Sequence, residues 1–192
     1  MGDIMKIDFR EAIFKSSRTV FRLRDIAMLT GMQDADNLKS AVSYYAGRGV
    51  LRNIRRGIYV KDEYLAEELA CRIYSPSYIS LETVLSRSGI VFQYTSVITA
   101  VSYVSRTIEV DSQEIAYQKI KDAVLVEGKG VVRQGDVNIA IPERAFLDRL
   151  YLSKNYFFDN IDSLNKEVVK DLLPIYRCKA LEKRVRSVIK YA

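Results

Sequence analysis

A ten-residue segment, LRNIRRGIYV at residues 51–60, constrains the fold of the first third of the chain more than any other feature. Ile54, Ile58 and Val60 share one parity, as in a β-ribbon with a single buried side. Three arginines, Arg52, Arg55 and Arg56, precede Gly57, and glycine permits the backbone conformation of a tight turn. No acidic residue occurs among the ten. The segment is therefore predicted to be a β-hairpin with a basic turn.

Helical patterns and a short strand precede this hairpin. Apolar residues at helical spacing predict a first helix over residues 4–15, and residues 19–21 are typical of a short strand. A second apolar stripe, within residues 22–30, ends at Gly31. A third helix is predicted from residue 37 onward because its apolar residues repeat as on a buried face. These apolar residues are Leu38, Ala41, Val42, Tyr45 and Ala46.

The order helix, strand, helix, turn, helix and two-stranded ribbon is that of a winged helix-turn-helix. Positive charge is concentrated in the same part of the chain. Residues 1–62 contain 12 Lys and Arg against 7 Asp and Glu, whereas residues 63–192 contain 18 against 17. A local basic surplus is typical of nucleic-acid-binding modules, although a solvated basic face has the same composition. We therefore predict a DNA-binding winged helix-turn-helix domain over residues 1–62.

The polar side of the third helix and the basic turn supply the predicted contacts with double-stranded DNA. A recognition helix reads base edges in the major groove, mainly through its N-terminal half. Arginines at the tip of a wing contact phosphates or enter a narrow minor groove. An acidic protein partner could use the same basic turn, which leaves a protein-interaction module as an alternative. The predicted DNA-binding residues are Asn37, Lys39, Ser40, Ser43, Tyr44, Arg48, Arg52, Arg55 and Arg56.

Residues 63–192 are predicted to form a second domain of mixed α+β structure, so the chain as a whole is expected to be α+β. Ser80 is a candidate N-cap for a helix that follows it. Strand-like runs then continue to residue 139 and include DAVLVEG at residues 122–128. A helix is predicted to begin at Pro142, because proline is favoured in the first turn.

The composition excludes several kinds of catalytic site. The chain contains no histidine, which excludes Ser-His-Asp triads, Cys-His pairs and histidine-based metal sites. Glu127-Gly128-Lys129, preceded by Asp111 and Asp122, matches the acid-x-lysine of metal-dependent nucleases. With 24 acidic residues in 192, such a triplet is expected by chance. We therefore predict no catalytic site, no metal and no cofactor, and retain a metal-dependent nuclease as an alternative.

The helix after Pro142 contains a second group of charged residues. Glu143 in its first turn is favoured by the helix dipole. Arg144 and Asp148 are separated by one helical turn and are expected to form an intrahelical ion pair. A functional cluster of these three residues is the alternative.

The sequence also gives expectations about compartment. Cys71 and Cys178 stand alone, outside any CxxC pattern, which indicates reduced thiols. The first 15 residues lack the apolar region of a secretory signal, and no apolar run is long enough to span a bilayer. We therefore expect a cytoplasmic protein that does not enter a membrane.

Four segments in this order resemble the AbiEi-like antitoxins of type IV toxin–antitoxin systems, which are linked to abortive phage infection. They are RRGIYV at the end of the predicted wing, YISLETVLSRSGI, the strand-rich middle and IAIPERAFLDRLYLS. The resemblance implies an N-terminal domain that represses its own operon, and a C-terminal domain that counters a nucleotidyltransferase toxin encoded beside it. Because repressors of this size bind paired half-sites, we also expect self-association on the operator.

Overall fold

The computed structural model describes residues 8–189 and divides the chain into two compact units between Ile73 and Tyr74. This division lies later than the boundary predicted after residue 62. The reason is Glu68, which is buried with the N-terminal unit. Its carboxylate accepts hydrogen bonds from the backbone N–H and hydroxyl of Thr19, at 2.9 and 2.6 Å, and from the backbone N–H of Val20 at 3.1 Å. The helix that carries Glu68 therefore belongs to the first unit.

The N-terminal unit contains the elements in the predicted order. Residues 4–7 of the predicted first helix lie outside the described residues. The elements are α1 (Phe9–Lys15), β1 (Val20–Arg22), α2 (Leu23–Thr30), α3 (Ala35–Gly47), β2 (Arg52–Arg55), β3 (Ile58–Val60) and α4 (Ala66–Ile73). The three strands form an antiparallel sheet in the order β1-β3-β2.

One core joins the three N-terminal helices to the sheet. The predicted apolar sides of α1 and α3 are buried in it, and each fully buried apolar side chain stabilises the unit by roughly 1.5–3 kcal/mol. The aromatic rings of Phe9 in α1 and Tyr45 in α3 stack face to face, with centroids 4.3 Å apart. This packing fixes which side of α3 faces solvent. The core consists of Phe9, Ile13, Phe21, Ile26, Leu38, Val42 and Leu51.

Two glycines terminate elements as the sequence predicted. Gly31 follows α2 with a φ of 71°, and Gly57 lies in the hairpin turn with a φ of 76°. Both values are in the left-handed region that glycine adopts without strain. The predicted single parity of the hairpin is wrong in β2, however. The register shifts between Asn53 and Arg55, so Ile54 is an extra residue and is only half-buried.

The C-terminal unit has mixed α+β structure, which confirms the predicted α+β class. Its six strands form a mixed sheet in the order β6-β7-β5-β4-β9-β8. Pairing is parallel between β4 and β9 and between β5 and β7. The strands are β4 (Ser77–Ile79), β5 (Ile98–Ser102), β6 (Arg106–Val110), β7 (Gln113–Lys119), β8 (Val131–Gln134) and β9 (Val137–Ala140). The helices are α5 (Glu82–Arg87), α6 (Asp122–Leu125), α7 (Pro142–Leu152), α8 (Lys166–Leu172), a 3₁₀ helix (Leu173–Tyr176) and α9 (Lys179–Val188).

Two local predictions for this unit are wrong. Residues Asp122–Leu125 form a helix rather than a strand, because the backbone N–H groups of Val124 and Leu125 both bond to the carbonyl of Lys121. Ser80 does not cap α5. Leu81 occupies the N-cap position, and the Ser80 hydroxyl instead donates to the Asp148 carboxylate at 2.8 Å.

The predicted Arg144–Asp148 ion pair is present in α7, with 3.4 Å between Nε and Oδ1, and both side chains are completely buried. Asp148 also accepts hydrogen bonds from the hydroxyls of Tyr78, at 3.0 Å, and Tyr176, at 2.6 Å. Burial raises the pKa of the Asp148 carboxyl, and Arg144 opposes this rise. The helix that begins at Pro142 thus places an ion pair inside the core.

The Arg144 guanidinium also holds α6 and the turn that follows it. It donates to the backbone carbonyls of Val124, at 2.7 Å, and Lys129, at 2.8 Å. Glu143 lies outside this buried group, where its carboxylate accepts a hydrogen bond from the backbone N–H of Asn165 at 3.0 Å. The alternative cluster of three charged residues is therefore divided between the core and the start of α8.

No helix within residues 8–189 combines the length and the apolar character required to cross a membrane.

Candidate nucleic-acid interface

All nine residues predicted to contact DNA lie on α3 or on the hairpin that follows it. The helix carries Asn37, Lys39, Ser40, Ser43 and Tyr44, and Arg48 is its C-cap. Arg52 and Arg55 are the first and last residues of β2, and Arg56 lies in the turn. All nine side chains are exposed except that of Arg55, which is half-buried.

Packing and capping together determine the exposed side of α3. Leu38 and Val42 are buried in the core, so the polar residues between them face solvent. The Asp34 carboxylate caps the helix by accepting a hydrogen bond from the backbone N–H of Asn37 at 2.7 Å. The helix therefore presents amide, hydroxyl and ammonium groups, which can hydrogen-bond to base edges.

Lys39 has an intramolecular partner in Asp36, with 3.3 Å between Nζ and Oδ1. The two side chains are 63% and 92% exposed, so solvent screens the pair. An exposed pair of this kind contributes only about 0–1 kcal/mol. Lys39 can therefore exchange Asp36 for a more strongly charged partner at little cost.

Arg48 is positioned by aromatic side chains. Its guanidinium carbon lies 4.5 Å from the centroid of the Tyr44 ring. The Tyr44 ring in turn meets Tyr45 edge to face, with centroids 5.2 Å apart. Because Tyr45 stacks on Phe9, a continuous series of ring contacts connects the core to Arg48. The stack restricts the orientation of a guanidinium that is otherwise exposed.

The hairpin carries its arginines on β2 and in the turn, all before Gly57. Arg56 directly precedes Gly57 in the turn, and Arg55 ends β2. The Arg52 guanidinium carbon lies 5.9 Å from the ring centroid of Tyr64. The hairpin thus presents three guanidinium groups, which suit phosphate oxygens because of their planar donor geometry.

A cleft that the sequence did not predict lies between α1 and the end of α3 and has a volume of about 510 Å³. Arg10 and Phe14 of α1 line this cleft, and the Arg10 guanidinium carbon lies 5.6 Å from the Phe14 ring centroid. The sequence did contain a signal for this contact, because Arg10 and Phe14 are four residues apart and therefore lie on the same side of α1. The cleft is lined by Asp8, Arg10, Phe14, Tyr44, Tyr45, Arg48, Gly49 and Val50, and we call it the α1–α3 cleft.

The charged side chains of the acid-x-lysine triplet have partners within the C-terminal unit. Lys129 Nζ pairs with Asp171 Oδ1 at 2.7 Å, and the Glu127 carboxylate accepts a hydrogen bond from the backbone N–H of Lys129 at 3.1 Å. Among residues 8–189, no three His, Cys, Asp or Glu side chains are grouped as a metal site would require. Cys71 and Cys178 form no disulfide.

We compared the sequence with models of known protein families and with curated proteins, and neither comparison finds a match. The function of the N-terminal unit is therefore inferred from the geometry of α3, the hairpin and the α1–α3 cleft.

Proposed function

We propose that the N-terminal unit is a winged helix-turn-helix that binds double-stranded DNA and represses transcription of its own operon. The observation that carries this proposal is the placement of the predicted contacts. One exposed helix side and the next hairpin along the chain present nine polar, aromatic and cationic residues. In this proposal α2 and α3 form the helix-turn-helix, and β2 and β3 form the wing.

The chemistry of α3 suits base recognition in the major groove. The Asn37 amide can form two hydrogen bonds with adenine, and the Lys39 ammonium can donate to the acceptors of guanine. Ser40 and Ser43 can donate to or accept from either type of base pair. These residues would provide sequence preference, and Tyr44 would lie at the edge of the groove.

The hairpin supplies the electrostatic part of the proposed binding. Arg55 and Arg56 would each neutralise about one phosphate, and each neutralised phosphate releases condensed counterions. Arg48 and Arg52, which precede the turn, would add contacts with the DNA backbone. Binding should therefore weaken steeply as salt concentration rises, which distinguishes this proposal from a hairpin that is merely solvated.

Repression can be tested with a reporter gene placed behind the chain's own upstream DNA. We expect the wild-type protein to lower reporter expression, and the Arg55→Ala/Arg56→Ala variant to restore it. Arg133→Ala is a matched control, because Arg133 is an exposed arginine beside a glycine-containing hairpin turn in the C-terminal unit. Equal expression with and without the wild-type protein would reject the repressor proposal.

For the C-terminal unit we propose antitoxin activity against a nucleotidyltransferase toxin. The support is the resemblance to AbiEi-like antitoxins, together with the way its segments pack. The segment YISLETVLSRSGI supplies Tyr78 and Ser80, and IAIPERAFLDRLYLS supplies Asp148, to which both hydroxyls donate. The same segments pair as parallel strands at Ile79 and Ile139. These two resembling segments thus pack together in the C-terminal unit.

Antitoxin activity can be tested by co-expression with the product of the neighbouring gene. If that product arrests growth, we expect the full chain to restore it. The Arg55→Ala/Arg56→Ala variant should restore growth equally well, because the substitutions lie in the other unit. Continued arrest in the presence of soluble full-length protein would contradict the proposal.

A further inference from the structure

The α1–α3 cleft contains two arginines of similar environment. Arg10 lies against the ring of Phe14, and Arg48 lies against the ring of Tyr44. Within the described part of the chain, neither guanidinium forms an ion pair with a carboxylate. Asp8 also lines the cleft, and its carboxylate accepts a hydrogen bond from the backbone N–H of Arg10 at 3.3 Å. Two cations therefore border one cleft, and neither pairs with a carboxylate of residues 8–189.

The aromatic contacts prepare both arginines to bind an anion. A guanidinium that lies over a ring face is held by cation–π attraction, while its N–H groups project outward from the edge. A phosphate group accepts two parallel hydrogen bonds from such an edge. Because Phe14 is 59% exposed and Tyr44 is 53% exposed, both rings border solvent and the cleft is open to a large ligand.

We propose that the α1–α3 cleft binds one backbone phosphate of the DNA duplex between Arg10 and Arg48. This inference rests on the proposed function, since Tyr44 and Arg48 also belong to the proposed DNA-binding surface. It adds Arg10 and Phe14 of α1 to that surface. Arg10 contacts the phosphate, and Phe14 is a positioning residue that orients Arg10.

The experiment measures the affinity for a duplex of random sequence as a function of salt concentration, so the operator need not be known. Replacing both Arg10 and Arg48 by alanine is expected to flatten the slope of log K against log salt by about 0.9, the value for one phosphate. Lys15→Ala is the control on the same helix. Lys15 is exposed and pairs with Glu11 at 2.5 Å, so its replacement should leave the slope unchanged.

A double-mutant cycle tests whether the two arginines share one phosphate. If they do, the fold-loss of affinity in the double variant should be smaller than the product of the two single losses, by about threefold or more. Additive losses would overturn the shared site and assign the arginines to separate contacts. Because both side chains are exposed, thermal unfolding of the variants should match that of the wild type.

The outcome also separates this inference from the proposed function. If Arg55→Ala/Arg56→Ala flattens the slope while Arg10→Ala/Arg48→Ala does not, the cleft proposal fails alone. If the wild-type protein does not bind the duplex at all, both proposals fail.

Discussion

The rings of Phe9 and Tyr45 stack with their planes 1° from parallel, and this contact joins α1 to α3. Tyr45 also meets Tyr44, on which Arg48 lies. The same side chain therefore packs the helix pair and supports part of the exposed surface. Any DNA contact made by Tyr44 and Arg48 depends on this packing.

Replacing Tyr45 by alanine should destabilise the N-terminal unit. The loss of the half-buried Tyr45 ring and of its stacking contact with Phe9 is expected to lower the free energy of unfolding by about 2–3 kcal/mol. Tyr45→Phe keeps the ring and should cost much less. Urea unfolding of both variants measures the difference. Equal stability of Tyr45→Ala and the wild type would show that the stack does not hold α1 against α3.

Replacing both Arg55 and Arg56 by alanine should change the salt dependence of DNA binding. If each arginine neutralises about one phosphate, the slope of log K against log salt should flatten by about 1.8. Fluorescence anisotropy of a labelled duplex at several salt concentrations provides the slope. Arg133→Ala is the control, and an unchanged slope in the double variant would contradict the role given to the hairpin.

Replacing Asp148 by alanine should strongly destabilise the C-terminal unit. The substitution leaves the Arg144 guanidinium buried without its carboxylate, at an expected cost of about 3–5 kcal/mol. It also removes the acceptor of the Tyr78, Ser80 and Tyr176 hydroxyls. Urea unfolding of the variant and the wild type measures the loss in the free energy of unfolding.

Asp171→Ala provides the matched control for Asp148. Its pair with Lys129 has side chains that are 65% and 48% exposed, so the expected cost is below about 1 kcal/mol. If Asp148→Ala and Asp171→Ala lower the free energy of unfolding by similar amounts, burial does not determine how much the Arg144–Asp148 pair contributes to stability.

Alkaline pH should destabilise the C-terminal unit through its tyrosines. Burial, followed by the nearby Asp148 carboxylate, raises the pKa of Tyr78 and Tyr176 well above the usual value. Burial, followed by the Glu82 carboxylate, raises the pKa of Tyr156 to about 12. Above pH ~10 the unfolded chain releases these phenolic protons while the folded unit retains them. The free energy of unfolding should therefore fall as pH rises through this range.

Unfolding in urea at pH values between about 9 and 12 tests this expectation, because tyrosine ionises near pH 10 in unfolded chains. Tyr156→Phe removes one of the three tyrosines with a raised pKa, so the free energy of unfolding should fall less steeply with pH in this variant. A free energy of unfolding that rises over this interval would contradict the assignment.

Local sequence patterns predicted much of the N-terminal unit. The spacing of Leu38 and Val42 identified the buried side of α3, and Gly31 and Gly57 marked two turns. These features depend on residues a few positions apart, which a periodic pattern can reveal. The position of Glu68 could not be predicted in this way, because its partners Thr19 and Val20 are distant in sequence.

The C-terminal unit was less predictable because long-range contacts determine its details. Ser80 has the side chain of a helix cap, yet its hydroxyl donates to Asp148 far along the chain. Residues 122–125 have a strand-like composition but form a short helix, and the carbonyl of Val124 in this helix accepts a hydrogen bond from Arg144. The shared cleft of Arg10 and Arg48 could not be predicted for a related reason, since the packing of α1 against α3 brings the two residues together.

The most direct test of the central claim is a gel-shift measurement with the purified protein at two salt concentrations. It compares the chain's own upstream DNA with scrambled DNA of the same composition. We predict preferential binding to the upstream DNA and weaker binding at the higher salt concentration. Equal weak binding to both duplexes, or no binding, would contradict the claim that α3 and its hairpin recognise DNA.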